Sequence, residues 1–233
     1  MAAERALSKE VIPNQVFIGC PWRTIRRKYL DISEELKKKF PVHFVIIGSE
    51  AAHKADDLLN YIKNKLETSS TAIFDVSGGN PNVSLEFGFA EGRNIESSLY
   101  ISTHGKSSTK SSSSIISDLA GKRRKEYKNE NSLLRLMNEF SKIHPYTIKF
   151  EKAMRALMTP FDKGEKKSYR ALSLKIIHHF DGKDVVRRDD LLHAVTAMNE
   201  KYTENMVDDW LKKLHAQRLI KVTVGRYSEV VIA

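Results

Sequence analysis

A single cysteine, Cys20, stands among the 233 residues, which excludes an intramolecular disulfide framework and fits a reducing compartment. No apolar run reaches the roughly 18 residues that a bilayer-spanning helix needs. Residues 1–10 lack the apolar core of a secretory signal. Together these absences lead us to expect a cytoplasmic protein with no membrane association. Metal-ligand clusters are scarce too. Around His178, His179 and His193 no cysteine or carboxylate cluster completes a coordination set, so neither metal nor cofactor is expected. Acidic charge is the scarcer sign: 29 Asp and Glu face 39 Lys and Arg, giving a net charge of +10 and a pI near 9.5. That balance points to an anionic partner, whether nucleotide, nucleic acid or acidic protein. With 41% hydrophobic and 29% charged residues, the composition is globular and not that of a disordered chain.

What is present begins with an alternation of apolar runs and amphipathic segments. Residues 15–21, 42–48, 70–75 and 98–102 read as strands that are apolar throughout, and residues 23–40, 55–66 and 82–93 read as helices. Uniformly apolar strands separated by helices imply a parallel sheet covered on both faces. The expected fold is therefore α/β, a flavodoxin-like doubly wound sheet whose ligands sit beyond the carboxyl ends of its strands. The run of glycine, lysine, serine and threonine at 105–114 is low in complexity and reads as a loop, either a solvated connection or a lid over the site. Beyond a helix at 131–142, a polar link containing Pro160 and Gly164 precedes helices at 168–180, 187–199 and 203–218 and a terminal hairpin. Three short helices and a hairpin have the plan of a winged helix. The expected division is an α/β domain at 1–150, a linker at 151–167 and a small C-terminal winged-helix domain at 168–233.

The chemistry concentrates between Asp75 and Gly88. Asp75 ends an apolar strand, and Ser77-Gly78-Gly79 lets the backbone turn tightly while offering N–H groups to an anion or a ribose hydroxyl. Asn80-Pro81-Asn82 is suited to starting a helix, because Asn caps free N–H groups and Pro presets φ. Glu86 then falls one turn into that helix, near the positive end of its dipole, and is expected close to Asp75. Two carboxylates beside a glycine turn suit chemistry at an anomeric carbon, with Glu86 attacking or stabilising the cationic centre and Asp75 orienting the sugar or relaying a proton. Taken singly, each element has a plain structural use: a capped turn, a helix-start acid, a tight loop.

Gly19-Cys20-Pro21 after the first strand, together with Asp75-x-Ser77-x-x-Asn80-Pro81-Asn82-Val83-x-x-Glu86-x-Gly88-x-Ala90, resembles the nucleoside 2-deoxyribosyltransferase-like proteins and the TIR-like nucleotide-binding proteins. The likeness spans residues 15 to about 145 and includes the stretch from Ser117 to Tyr127. It implies a nucleophile at Glu86, base and proton handling at Asp75, and substrate contacts at Gly19, Cys20, Pro21, Ser77, Gly78, Asn80 and Asn82. The transferases carry a second Asp six residues before the nucleophile, where this chain has Asn80. An amide still hydrogen-bonds a hydroxyl but holds no charge. Hydrolysis of the N-glycosidic bond of a nucleotide, deoxynucleotide or NAD, or binding without turnover, is thereby favoured over base exchange. The pairing with a winged helix is similar to anti-phage effectors, those associated with retrons above all. That likeness implies an N-glycosidase toxin held by a ribonucleoprotein of reverse transcriptase and DNA–RNA hybrid, and homo-oligomers are expected.

The C-terminal charges are less direct. The helix at 203–218 opens with Glu204, Asp208 and Asp209, which repel phosphate and favour protein docking or dimerisation over sequence-specific DNA reading. Lys212, Lys213, Arg218, Lys221 and Arg226 remain available to a nucleic-acid backbone. Runs at 26–28 and 37–39 read as solvated helix faces. The denser run Lys122, Arg123, Arg124, Lys125 reads as a contact for phosphate, nucleic acid or a partner. No internal repeat is found.

Overall fold

The computed structural model describes residues 10–48, 57–104, 123–183, 185–197, 202–223 and 229–233. Backbone packing divides the chain into a first unit of residues 1–30 and 44–133 and a second of residues 31–43 and 134–233. The low-complexity run at 105–114, Lys122 and Arg226 lie outside the described residues.

In the first unit, strands β1 (Ile12–Gly19), β2 (His43–Val45), β3 (Ser69–Asp75), β4 (Ser97–Ser102) and β5 (Arg124–Tyr127) form one sheet in the order β2-β1-β3-β4-β5. The β1–β3, β3–β4 and β4–β5 pairings are parallel. This is an α/β fold, and its strand order is consistent with double winding of the flavodoxin type. In such sheets the order reverses beside the first strand, and the crevice at that reversal faces the carboxyl ends of β1 and β3. Residues 71–76 are all buried, as the uniformly apolar reading of this central strand requires.

Among the described residues three helices join these strands: α1 (Arg26–Lys37), α2 (Leu58–Glu67) and α3 (Pro81–Gly92). The side chain of Asp57 caps α2 by accepting from Asn60 N at 3.0 Å. Ile62, Leu66, Val83, Phe87 and Ala90 pack on Phe17, Ala72 and Phe74 of the sheet. The Phe74 ring is fixed between Phe17, with centroids 6.1 Å apart, and Phe87, which meets it edge-on at 5.5 Å. At the lower end of the sheet, buried Gln15 donates to Thr68 Oγ1 at 3.0 Å and Ser69 Oγ at 3.1 Å, fixing the start of β1 against β3.

The second unit contains α4 (Glu130–Ile143, from residue 134 onward), α5 (Pro145–Leu157), α6 (Lys163–His178), α7 (Arg188–Ala197) and α8 (Glu204–Ala216). Strands β6 (Val186–Arg187), β7 (Ile220–Thr223) and β8 (Glu229–Ile232) pair antiparallel in the order β6-β8-β7. Trp210 is its largest buried side chain and donates its indole N–H to Ser173 Oγ at 2.8 Å. Asp181 accepts from Lys37 Nζ at 2.7 Å and faces His178 Nδ1 at 3.2 Å. Lys37, expected on a solvated face, is thus ion-paired. His178 is committed on its other side to the Phe40 carbonyl oxygen at 2.8 Å.

Two features differ from the sequence-based expectation. The linker expected at 151–167 is mostly helix, since α5 runs to Leu157 and α6 begins at Lys163 under a capping box of Asp162 and Glu165. Tyr146, Phe150, Ala153 and Met154 recur at i, i+4, i+7 and i+8 and enter the core of the second unit, so the division falls near residue 133 instead of 150. The basic run at 122–125 leads into an unexpected strand: Arg124–Tyr127 is β5 at the sheet edge, with Tyr127 turned into the core. Phe150 is completely buried, so Phe150→Ala should lower the free energy of unfolding by about 3–5 kcal/mol in urea titrations. A change below 1 kcal/mol would return this segment to a linker.

Candidate functional site

The carboxyl ends of β1 and β3 deliver Gly19 and Asp75 to the same edge of the sheet, in adjacent strands where Gly19 pairs with Phe74. After Asp75 the chain makes a short 3-10 turn at Ser77–Gly79, with Gly78 at φ +73° and Gly79 at φ +62°. Those values lie in the left-handed region, which glycine enters at little cost. Asn80 then caps α3 as expected. Its Oδ1 accepts from Asn82 N at 2.9 Å and Val83 N at 3.4 Å, and Pro81 takes the first helical position.

Asp75 turns into the interior and is fully buried. Its Oδ2 accepts from Tyr29 OH at 2.8 Å and Tyr127 OH at 2.6 Å, while Oδ1 accepts from the Ser77 N–H at 3.0 Å. Burial raises its pKa, and the Ser77 and tyrosine hydrogen bonds oppose that rise. Both tyrosines are pushed up by burial and then by the Asp75 charge, which keeps them neutral donors. Ser77 is held from a second direction, because its Oγ accepts from Ser102 N at 2.7 Å. The network joins α1, β3, β4 and β5 to the glycine turn.

Glu86 has a different setting. Its Oε2 fills the space beside Gly19 Cα: a Cβ at residue 19 would lie 2.6 Å from that oxygen and 2.6 Å from Phe74 Cδ1. Burial alone lifts its carboxyl from 4.5 to about 7. Among the described residues Glu86 has no hydrogen-bond or ion-pair partner. The two carboxylates differ in setting: Asp75 is held by three donors, whereas burial is what raises Glu86. Cys20 feels both. Its buried thiol is pushed up to about 12, by burial first and then by the charges of Asp75 and Glu86, so it stays protonated.

A cavity of about 860 Å³ opens over this edge, within the range of small-molecule sites. Cys20, Pro21, Ser77, Gly78, Asn80 and Asn82 line it together with Glu86. Among the described residues Glu86 is its sole carboxylate and Arg23 its sole cation. Asp75 is absent from the wall, and so is Gly19, whose part is to leave room for the Glu86 carboxylate. Trp22 and Arg23 join the wall without having been singled out in the sequence; their signal was adjacency to Pro21. The described residues of the basic run are not part of this cavity. Arg123 and Lys125 are exposed, Arg124 is half-buried, and none of them lines it. Among the described residues no group of three or more His, Cys, Asp or Glu is arranged to hold a metal ion. No helix among them is long and apolar enough to cross a membrane.

Comparison with protein families and with curated proteins finds no match to this chain.

The burial of Glu86 has a thermodynamic signature. Its folded pKa lies above the unfolded value, so ionisation opposes folding, and stability declines as pH rises from 4.5 to about 7. Glu86→Gln should match the parent in thermal unfolding at pH 4.5. At pH 8 it should be more stable by about 1–3 kcal/mol, the linkage bound being about 3. A variant less stable at pH 8 than the parent would refute the unpaired setting. Gly19→Ala forces the carboxylate or the Phe74 ring to move and should cost about 1–3 kcal/mol in urea unfolding. If its stability is unchanged, the close approach of Glu86 to Gly19 is wrong.

Proposed function

We propose that the protein is an N-glycosidase acting on a nucleotide, deoxynucleotide or NAD, with Glu86 as its reacting carboxylate. The observation that carries this reading is Glu86 itself, a carboxyl with no partner among the described residues, raised by burial to about 7, on the wall of a nucleotide-sized cavity. A structural carboxylate would be paired with a donor; one held back from hydrogen bonds near neutrality is suited to bonding with carbon. In the proposed reaction a Glu86 oxygen bonds to C1′ as the C1′–N bond breaks, and the bonding electron pair leaves with the base. Nicotinamide leaves neutral from NAD, while other bases take a proton from solvent. Water then hydrolyses the ester and restores the carboxylate. Glu86 as a stabiliser of the cationic sugar is the limiting form of the same reaction.

The other residues divide by position. Arg23 is suited to a phosphate, and the Ser77–Gly79 backbone and Asn82 to the ribose hydroxyls. Asp75 becomes a positioning residue that acts through Ser77, and Tyr29 and Tyr127 hold it in turn. Because Asn80 spends its amide oxygen on the α3 cap, only its NH₂ group is left for substrate. That commitment favours hydrolysis over base exchange, and it also supports a second reading: a nucleotide-binding sensor without turnover. We read the second unit, with α6, α7 and α8 followed by β7 and β8, as a winged helix. In this reading it docks a protein or ribonucleoprotein partner that governs the first unit, in the manner of anti-phage effectors.

Incubation of the protein with nucleotides and NAD, followed by chromatography of free bases, tests the enzyme. Glu86→Gln should reduce release by about 10³-fold or more. The parent's rate should rise through pH 7 and level off above it, since the reacting form is the carboxylate. Equal release by both proteins excludes Glu86 from the reaction. Calorimetric binding with no product after long incubation would favour the sensor.

A further inference from the structure

Glu86 borders two cavities that adjoin along Leu59, Ile62, Pro81 and Leu85, and it is the one carboxylate among the described residues that lines both. The second, of about 610 Å³, lies between α2 and α3, and its walls are mainly Leu59, Ile62 and Leu66 of α2 with Leu85 and Phe89 of α3. Its polar side chains besides Glu86 are few. The Ser84 hydroxyl donates to the Asn80 carbonyl oxygen at 3.2 Å, and Lys63 Nζ lies 5.7 Å from the Phe89 ring centroid. Leu85 and Leu59 are 61% and 45% exposed, an unusual loss of apolar burial for two residues facing the same space.

Gly88 supplies the second observation. Glycine inside a helix destabilises it by about 1 kcal/mol relative to alanine. Other glycines at the site have local reasons: Gly19 leaves room for Glu86, and Gly78 has positive φ. Gly88 has neither. A Cβ there would meet no atom within 4 Å, and its backbone is ordinary helix. What its missing side chain does is keep the second cavity open, since Gly88 forms part of the wall.

We infer that the cavity between α2 and α3 receives the base of the nucleotide, a flat heteroaromatic ring, while the sugar and phosphate occupy the first cavity. Glu86, shared by both, then stands where the glycosidic bond crosses from one to the other. This placement rests on the glycosidase reading and adds to it the location and character of base recognition. Apolar walls with few free polar groups recognise a ring by shape and burial, so bases of similar size are discriminated weakly, by about 10–200-fold at most.

The test uses adenine, nicotinamide and ribose 5-phosphate as separate probes in ligand-observed NMR titrations of the parent and of Gly88→Leu. Leucine is the better helix former, so the variant should melt no lower than the parent. It should bind adenine and nicotinamide at least tenfold more weakly and ribose 5-phosphate within twofold of the parent. Unchanged base binding in Gly88→Leu overturns the subsite, as does a parent that binds neither base. Equal weakening of all three probes also overturns it, because the change is then not local. The two readings separate cleanly. If base binding falls in Gly88→Leu but the parent cleaves no nucleotide, the subsite stands and the glycosidase fails. If Glu86→Gln abolishes cleavage while Gly88→Leu keeps the parent's base affinities, the glycosidase stands and the subsite fails.

Discussion

The carboxylate of Glu86 occupies the volume that a side chain at residue 19 would otherwise fill, and the architecture of the site follows from that substitution of one group for another. The parallel pairing of β1 with β3 sets Gly19 beside Phe74. Phe17 and Phe87 then lock the Phe74 ring, which closes the other side of the same space. With aromatic rings on one flank and strand backbone beneath, the carboxylate has no donor among the described residues and meets a cavity at its open side. Its raised pKa is the electrostatic expression of this packing. The fold raises the pKa of this acid by crowding it, without needing a neighbouring charge.

Asp75 illustrates the opposite solution to burying a carboxylate. Three hydrogen-bond donors from three parts of the first unit converge on it, and they use most of its accepting capacity. A group so fully engaged is poorly placed to exchange protons with a substrate but well placed to fix geometry. Through Ser77 it sets the turn containing Gly78 and Gly79, and that turn delivers Asn80 to the start of α3 and so Glu86 to its cavity. One carboxylate is satisfied so that the other can remain unsatisfied.

How much of this was legible in the sequence depends on the range of the interaction. The four early strands were readable because a central parallel strand is apolar on both faces, and the α3 cap because Asn80, Pro81 and the glycines act on their own neighbours. β5 was not, since an edge strand with one buried residue, Tyr127, reads as a charged patch. Helix α5 hid behind Pro145 and Pro160, although its apolar spacing was present. The partners of Asp75 lie 46 and 52 residues away, and no local pattern reports a contact of that separation. A strand end also reveals where the backbone stops without revealing which way its last side chain turns. That is why the commitment of Asp75 to Tyr29, Tyr127 and Ser77 was not expected.

Two unfavourable features border one spot, and their magnitudes argue for a ligand there. The ionisation of Glu86 opposes folding by about 3 kcal/mol at most above pH 7, and Gly88 adds about 1 kcal/mol in helix propensity. Against a typical stability of about 5–15 kcal/mol, that is a substantial loss for a domain to carry in two neighbouring residues. Random drift would remove it readily, since either residue has a stabilising replacement in Gln or Ala. No hydrogen bond or ion pair among the described residues requires the charge of Glu86, and no close contact requires Gly88. The exposed Leu59 and Leu85 add apolar surface left in water at the same place. A planar ring bound between α2 and α3 with its sugar carbon against Glu86 would cover that apolar surface, fill the space that Gly88 leaves, and give the carboxylate an electrophile to face. In the proposed reading, these unfavourable terms would be offset on binding, which is how a site favours a reacting complex over a resting one.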